Sequence, residues 1–253
     1  MTVVGTETAP VWGDLVGQEH AVEVLSAATR AAELIRRGES TEGMIYAWLF
    51  TGPSGLGRSN AARAFAAALQ CLQGGCGVCD ACHTVLAGTH ADVEVVNTSM
   101  LSISVKIARS LVMRAAHHPA GGRWQVMIIE DADRLSDPAA NALLKAIEEP
   151  TPSTVWLLCA PSLEDVLPTI RSRCRHVPLR TPPSAAVAEV LVRRDGVDPA
   201  MATFVARAAQ GHIGRAKRLA TDEDARMRRH AVLRLPLSLG TLASALEAAA
   251  ELI

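Results

Sequence analysis

Four cysteines fall within twelve residues of one another: Cys71, Cys76, Cys79 and Cys82. Thiolates at C-x4-C-x2-C-x2-C spacing can wrap a tetrahedral Zn²⁺, and Gly74, Gly75 and Gly77 permit the sharp turns this needs. Protein sulfur at all four positions makes such a zinc structural, because no position is left open for substrate. Buried free cysteines or a redox pair are the plainer alternative. His83 beside Cys82 reads as a bystander, and Cys159 and Cys174 read as small core residues.

A second group of residues could hold phosphate. The run Gly52-Pro53-Ser54-Gly55-Leu56-Gly57-Arg58-Ser59 follows an apolar stretch and opens an amphipathic one. In that setting glycines let backbone N–H groups wrap a phosphate at a helix N-terminus. The pattern G-x-x-x-x-G-K-[ST] is met except at the lysine, which is Arg58. A planar guanidinium is larger than a compact ammonium and cannot occupy the same pocket identically. The run reads as a P-loop with weakened or lost hydrolysis; a ligand-free turn and a working ATPase are the alternatives.

Further along, Glu130-Asp131-Ala132-Asp133 follows the apolar run 125–129. Phosphoryl-transfer sites of this kind place an Asp there to support Mg²⁺, commonly followed by a Glu that activates water. Here the order is reversed. A longer arm at the metal position and a shorter one at the base each move a carboxylate by about an ångström, enough to matter for catalysis.

These residues need elements to position them. Apolar residues at Val22, Leu25, Ala28, Ala32 and Ile35 predict a helix between Gly17 and Gly38. Short apolar runs at 46–50, 92–96, 125–129 and 154–159 predict strands, with a weaker fifth at 175–179 because it contains Pro178. Helices are expected from Arg58 to about Leu72, around Ile107, Leu111 and Ala115, and from Pro138 to Ile147. Alternating strands and helices predict a parallel sheet covered on both faces. After Thr181 the strand signals cease, and short helices are expected at 185–194, after Asp198 and at 211–220. The stretch from Leu237 to Ile253 reads as amphipathic, its apolar end expected to dock on a further domain or another subunit.

The chain has 253 residues, 49% apolar and 20% charged, which excludes disorder and a collagen-like fibre. Aromatics at 3% require an aliphatic core. With 25 basic and 26 acidic residues the net charge is −1, against a protein that grips nucleic acid alone through a basic face. No apolar run approaches the ~18 residues of a membrane span, and Met1 to Pro10 lacks a signal-peptide pattern, so a reducing cytoplasm is expected.

Six segments in order carry a resemblance: Asp14-Leu-Val-Gly-Gln18, the P-loop, the cysteines behind it, Ile128 to Asp133, Asn141-Ala-Leu-Leu-Lys-Ala-Ile-Glu-Glu-Pro150, and Ser172-Arg-Cys174. Together they resemble the bacterial DNA polymerase III clamp-loader family of AAA+ proteins, over roughly residues 12 to 220. The resemblance implies an α/β fold: an AAA+ P-loop domain with a five-stranded parallel sheet and a zinc-binding insertion at 71–82, spanning 1–180. A helical lid domain at 181–233 and the start of a C-terminal helical collar at 234–253 would follow.

Within that family Arg58, the Glu130-Asp131 order and Gly214, where motor subunits carry an arginine, resemble the delta-prime branch; Arg215 next door weakens the last point. The resemblance implies an accessory subunit of the polymerase holoenzyme that takes part in ATP-driven loading of the sliding clamp onto primed DNA. It also implies Arg173 as an arginine finger acting in trans, with Arg171 and Arg175 as plain surface residues. Expected partners are gamma/tau and delta subunits in a ring, with the clamp and primed DNA reached through the complex and no membrane. Expected cofactors are structural Zn²⁺ and weakly held ATP or ADP with Mg²⁺. A gamma/tau-like ATPase and a stand-alone zinc-containing nucleic-acid binder remain open.

Overall fold

Short apolar runs between glycine- and proline-marked turns give the chain its order of elements. The computed structural model describes residues 9–41, 44–98, 100–121 and 123–238. Helix α1 (Glu19–Arg36) buries Ala21, Leu25, Ala28 and Ala32, which recur on one face. Strand β1 (Ala47–Thr51) is buried along its whole length and leads through a glycine loop into α2 (Arg58–Gln70). Alanine small enough for close approach lets α2 lie nearly submerged, with Ala61, Ala62 and Ala64 to Ala68 all buried. Then follow α3 (Asp80–Leu86), β2 (Val93–Val96), α4 (Val105–Ala115) and β3 (Gln125–Ile129). The sheet part closes with α5 (Asp137–Glu148), β4 (Thr154–Ala160), α6 (Pro168–Arg171) and β5 (Arg175–Pro178).

All five strands are parallel, in the order β2-β3-β4-β1-β5. Successive side chains point to opposite faces, and two cores result. Trp48, Phe50, Val126, Ile128, Val155, Leu157 and Cys159 face α1 and α2. Leu49, Met127, Ile129, Trp156, Leu158 and Ala160 face α4, α5 and α6. Strands buried on both faces read as continuous apolar runs, which is why they were visible in the sequence. Pro178 lies on an edge strand, where a missing N–H disturbs one side only.

The chain divides between Pro182 and Pro183. The second unit holds α7 (Ser184–Asp195), α8 (Pro199–Ala209), α9 (Ile213–Thr221) and α10 (Glu223–Ser238). Val187, Leu191, Val205, Ala206, Ala216 and Leu219 form its core. Asp198 caps α8, its Oδ1 accepting from the amides of Ala200 and Met201 at 3.0 Å each, as the sequence predicts. Asp195 accepts from Arg194 and Lys217, and these bonds hold its carboxyl below the ordinary range.

Three helices escape sequence reading. The segments α3 and α6 are too short for a period to register. Helix α10 carries Arg226, Arg228, Arg229 and Arg234 and leaves Met227, Val232 and Leu233 exposed, so it has no apolar stripe to detect. The expected amphipathic stretch at 237–253 falls, beyond residue 238, outside the described residues. Among the described residues no helix is long and apolar enough to cross a membrane.

Candidate functional site

The phosphate loop sits where β1 leaves the sheet. Thr51 lies in register with Ala160 of β4 and Pro178 of β5, so three strand ends meet beneath Gly52. Gly52 has φ 147°, and a Cβ there would lie 2.8 Å from the Leu179 carbonyl oxygen. Gly57, at φ 88°, turns the chain into α2. Gly52→Ala is therefore expected to cost about 2 kcal/mol, read as a fall in Tm of roughly 5 °C in a thermal melt. An unchanged Tm would mean that the loop is slack.

Arg58 opens α2, and its guanidinium folds back so that Nη1 donates to the Gly52 carbonyl at 2.9 Å. The Gly52 amide in turn donates to the Pro161 carbonyl at 3.1 Å. The loop's end is thus tied to its start, and the cation that replaces the P-loop lysine is committed to a backbone oxygen. Pro53, Ser54, Gly55, Leu56 and Ser59 complete the turn between them.

The carboxylates at the end of β3 are committed as well. Arg63 of α2 donates to Glu130 Oε1 from Nε at 3.0 Å and from Nη2 at 2.9 Å. Asp131 Oδ2 accepts from the Thr98 amide at 3.1 Å, and Arg134 holds the Thr98 and Met100 carbonyls. Burial pushes the Cys159 thiol up to about 12; Glu130 and Asp131 add to the effect, and Arg58 and Arg63 oppose it. Arg63 was missed in the sequence. Its signal was a lone charge in the alanine-rich stretch 60–70. Glu130 Oε1 and Asp131 Oδ2 are thus each engaged by a protein donor.

The four cysteines converge. Cys71 follows α2, Cys76 lies in the glycine turn, Cys79 precedes α3 and Cys82 sits in its first turn. Gly75, at φ 112°, packs so tightly that a Cβ would come within 2.4 Å of Val11 Cγ2. The sulfurs all lie within 4.8 Å of one another, Cys71 being 3.6 Å from Cys76 and 3.7 Å from Cys79. A zinc–sulfur tetrahedron with bonds of about 2.3 Å has edges of about 3.8 Å, so the donor set fits zinc.

Amides of Gln73 and Cys76 donate to Cys71 Sγ at 3.3 and 3.4 Å. Burial opposes ionisation of Cys71, but backbone bonds from Cys76, Gly75 and Gln73 prevail and bring its pKa down to about 6. Burial pushes the Cys82 thiol up, and its neighbours Cys79 and Cys71 push further. The side chain of Arg123, also missed in the sequence, braces this module. It donates to the Leu69 carbonyl at 3.1 Å and the Cys71 carbonyl at 3.4 Å, and pairs with Glu33 of α1 at 2.9 Å. His83 is exposed and outside the sulfur cluster.

Arg173 follows α6 and is 38% exposed. Its Nη1 donates to the Thr169 carbonyl at 2.7 Å and to Ser172 Oγ at 3.1 Å, and Nη2 forms an ion pair with Glu148 at the end of α5. None of these partners belongs to the chain's own phosphate loop. Arg175 lies 5.6 Å from the Trp48 ring centroid and caps it as a cation–π partner. Burial pushes the Cys174 thiol up to about 12, in keeping with a packing role.

Residues 27–183 match the family model described as DNA polymerase III, delta subunit. The chain belongs to the DNA polymerase III clamp-loader family. It is 34% identical over 210 residues to the gamma/tau subunit of Mycobacterium tuberculosis strain H37Rv, covering 79% of this chain and 35% of that one. It is 37% identical over 163 residues to the delta' subunit of Pseudomonas aeruginosa, covering 62% and 50%. To the Bacillus subtilis delta' subunit it is 31% identical over 180 residues, covering 70% and 54%. This clamp-loader family member therefore spans between about a third and a half of these curated relatives.

Among solved structures, the RuvB Holliday-junction branch-migration motor of Thermotoga maritima is 19% identical with a TM-score of 0.57, covering 92% of this chain and 68% of that one. The gamma-subunit-related protein of the same organism is 17% identical with a TM-score of 0.50, covering 86% and 66%. At these identities the likeness is one of fold, and it is the AAA+ fold expected from the sequence.

Proposed function

We propose that this chain is a delta-prime-type clamp-loader subunit that contributes ring contacts and one arginine finger while its own nucleotide site stays idle. The observation that carries this reading is the closure of Arg58 onto the Gly52 carbonyl, beside a Glu130-Asp131 pair engaged by Arg63 and Thr98. Its support from outside the site is the delta-subunit family match and the delta' relatives. In this reading the chain works in the cytoplasm beside gamma/tau and delta subunits, and reaches the sliding clamp and primed DNA through the assembly. Cys71, Cys76, Cys79 and Cys82 hold a structural zinc that keeps the segment behind α2 folded and takes no part in phosphate chemistry. Residues 181–233 act as the lid.

A gamma/tau-like ATPase is the second reading, favoured by 34% identity to a gamma/tau subunit over 79% of this chain. Turnover separates the two. The isolated chain is expected to hydrolyse ATP no faster than its Ser59→Ala variant, with weak ADP or ATP binding surviving on the loop backbone. Turnover clearly above that control would make the chain a motor. Arg58→Lys alone is expected to remain slow, because the carboxylate order is still reversed.

A further inference from the structure

The guanidinium of Arg173 is held from two scaffolds. Buried Ile170 anchors α6, which supplies the Thr169 carbonyl, while buried Leu143 and Ile147 anchor α5, which supplies Glu148. Nη1 is occupied by Thr169 and Ser172 and Nη2 faces Glu148, whereas Nε has no partner among the described residues. An arginine has five N–H donors, so this pattern restrains the group while leaving donors for an incoming anion.

We propose that Glu148 is a positioning residue: its carboxylate, at the end of α5, orients the Arg173 guanidinium for the phosphate oxygens of a nucleotide bound by a neighbouring subunit. The inference rests on the reading of Arg173 as a finger acting in trans.

The physical reason is pre-organisation. A free arginine side chain loses several rotatable bonds when it docks on phosphate, and that entropy opposes the transition state. Here the loss has largely been met before the neighbour arrives. Glu148 and Arg173 are 39% and 38% exposed, so their pair adds little to folding stability. Its effect is on where the fork points, and the two roles can be separated by experiment.

The test uses the assembled ring, with every ATP site silenced except the one facing this chain. Glu148→Gln is expected to lower kcat at that site by about tenfold, the scale of a lost charge-assisted hydrogen bond, with KM for ATP and Tm nearly unchanged. Glu148→Asp should recover part of the loss, since its charge survives on a shorter arm. In an Arg173→Ala background Glu148→Gln should cause no further loss, because both changes then act through one group.

Wild-type kcat in Glu148→Gln, where Arg173→Ala does lower it, overturns the positioning role and leaves the finger standing. A Glu148→Gln loss that persists undiminished in the Arg173→Ala background also overturns it. An inert Arg173→Ala removes the finger itself, and this proposal with it.

Discussion

Arg173→Ala is expected to reduce ATP hydrolysis at the facing motor site by about 10³, the scale seen when a finger is removed from a phosphoryl-transfer site. A forked, permanently charged donor stabilises charge spread over the transferring oxygens, and no water reproduces that geometry. The variant should fold, keep its zinc and enter the ring, because Cys174 is partly buried against the core below α5 and Val177 of β5 is buried in the other. Bulk ATPase in a reconstituted loader should fall only in part, since other sites have other neighbours, whereas clamp loading should fall further. Wild-type values in both assays, with assembly confirmed, would make Arg173 a surface arginine held by Glu148 and nothing more.

The second large effect concerns the metal. The chain is expected to bind about one zinc, with X-ray absorption showing four sulfurs at about 2.3 Å. Binding energy that acts only on the folded state is stability: free zinc at about a thousandfold above Kd contributes about 4 kcal/mol, or roughly 10 °C in Tm. Chelation or Cys79→Ser should remove most of it and loosen the segment between α2 and α3, leaving the phosphate loop in place. Oxygen or nitrogen in the first shell, or a metal-free chain with the same Tm, would refute the assignment.

The alternation of strands and helices was legible because β1, β3 and β4 are buried on both faces and must be apolar throughout. The cysteine cluster and the glycine loop were legible for a different reason: their chemistry depends on close spacing along the chain. What the sequence hid were pairings across it. Arg63 with Glu130, Arg123 with Glu33, and Arg173 with Glu148 are charged residues whose partners lie on other elements, and no local period links them. Helix α10 was hidden because its apolar residues Met227, Val232 and Leu233 are exposed among arginines and form no buried stripe.

The place of β1 in the sheet has a consequence for how the chain is made. It lies between β4 and β5, so its apolar run Ala47-Trp48-Leu49-Phe50 has no strand partner until residues 154–160 and 175–178 have left the ribosome. Gln18 is in the same position: its amide group exchanges hydrogen bonds with the backbone of Arg180. Pairings so distant in sequence form slowly and late, and the exposed run is meanwhile a target for aggregation and for chaperones. A chain halted before β4 is expected to be aggregation-prone, and synthesis that reaches Arg180 supplies the five strands of the sheet.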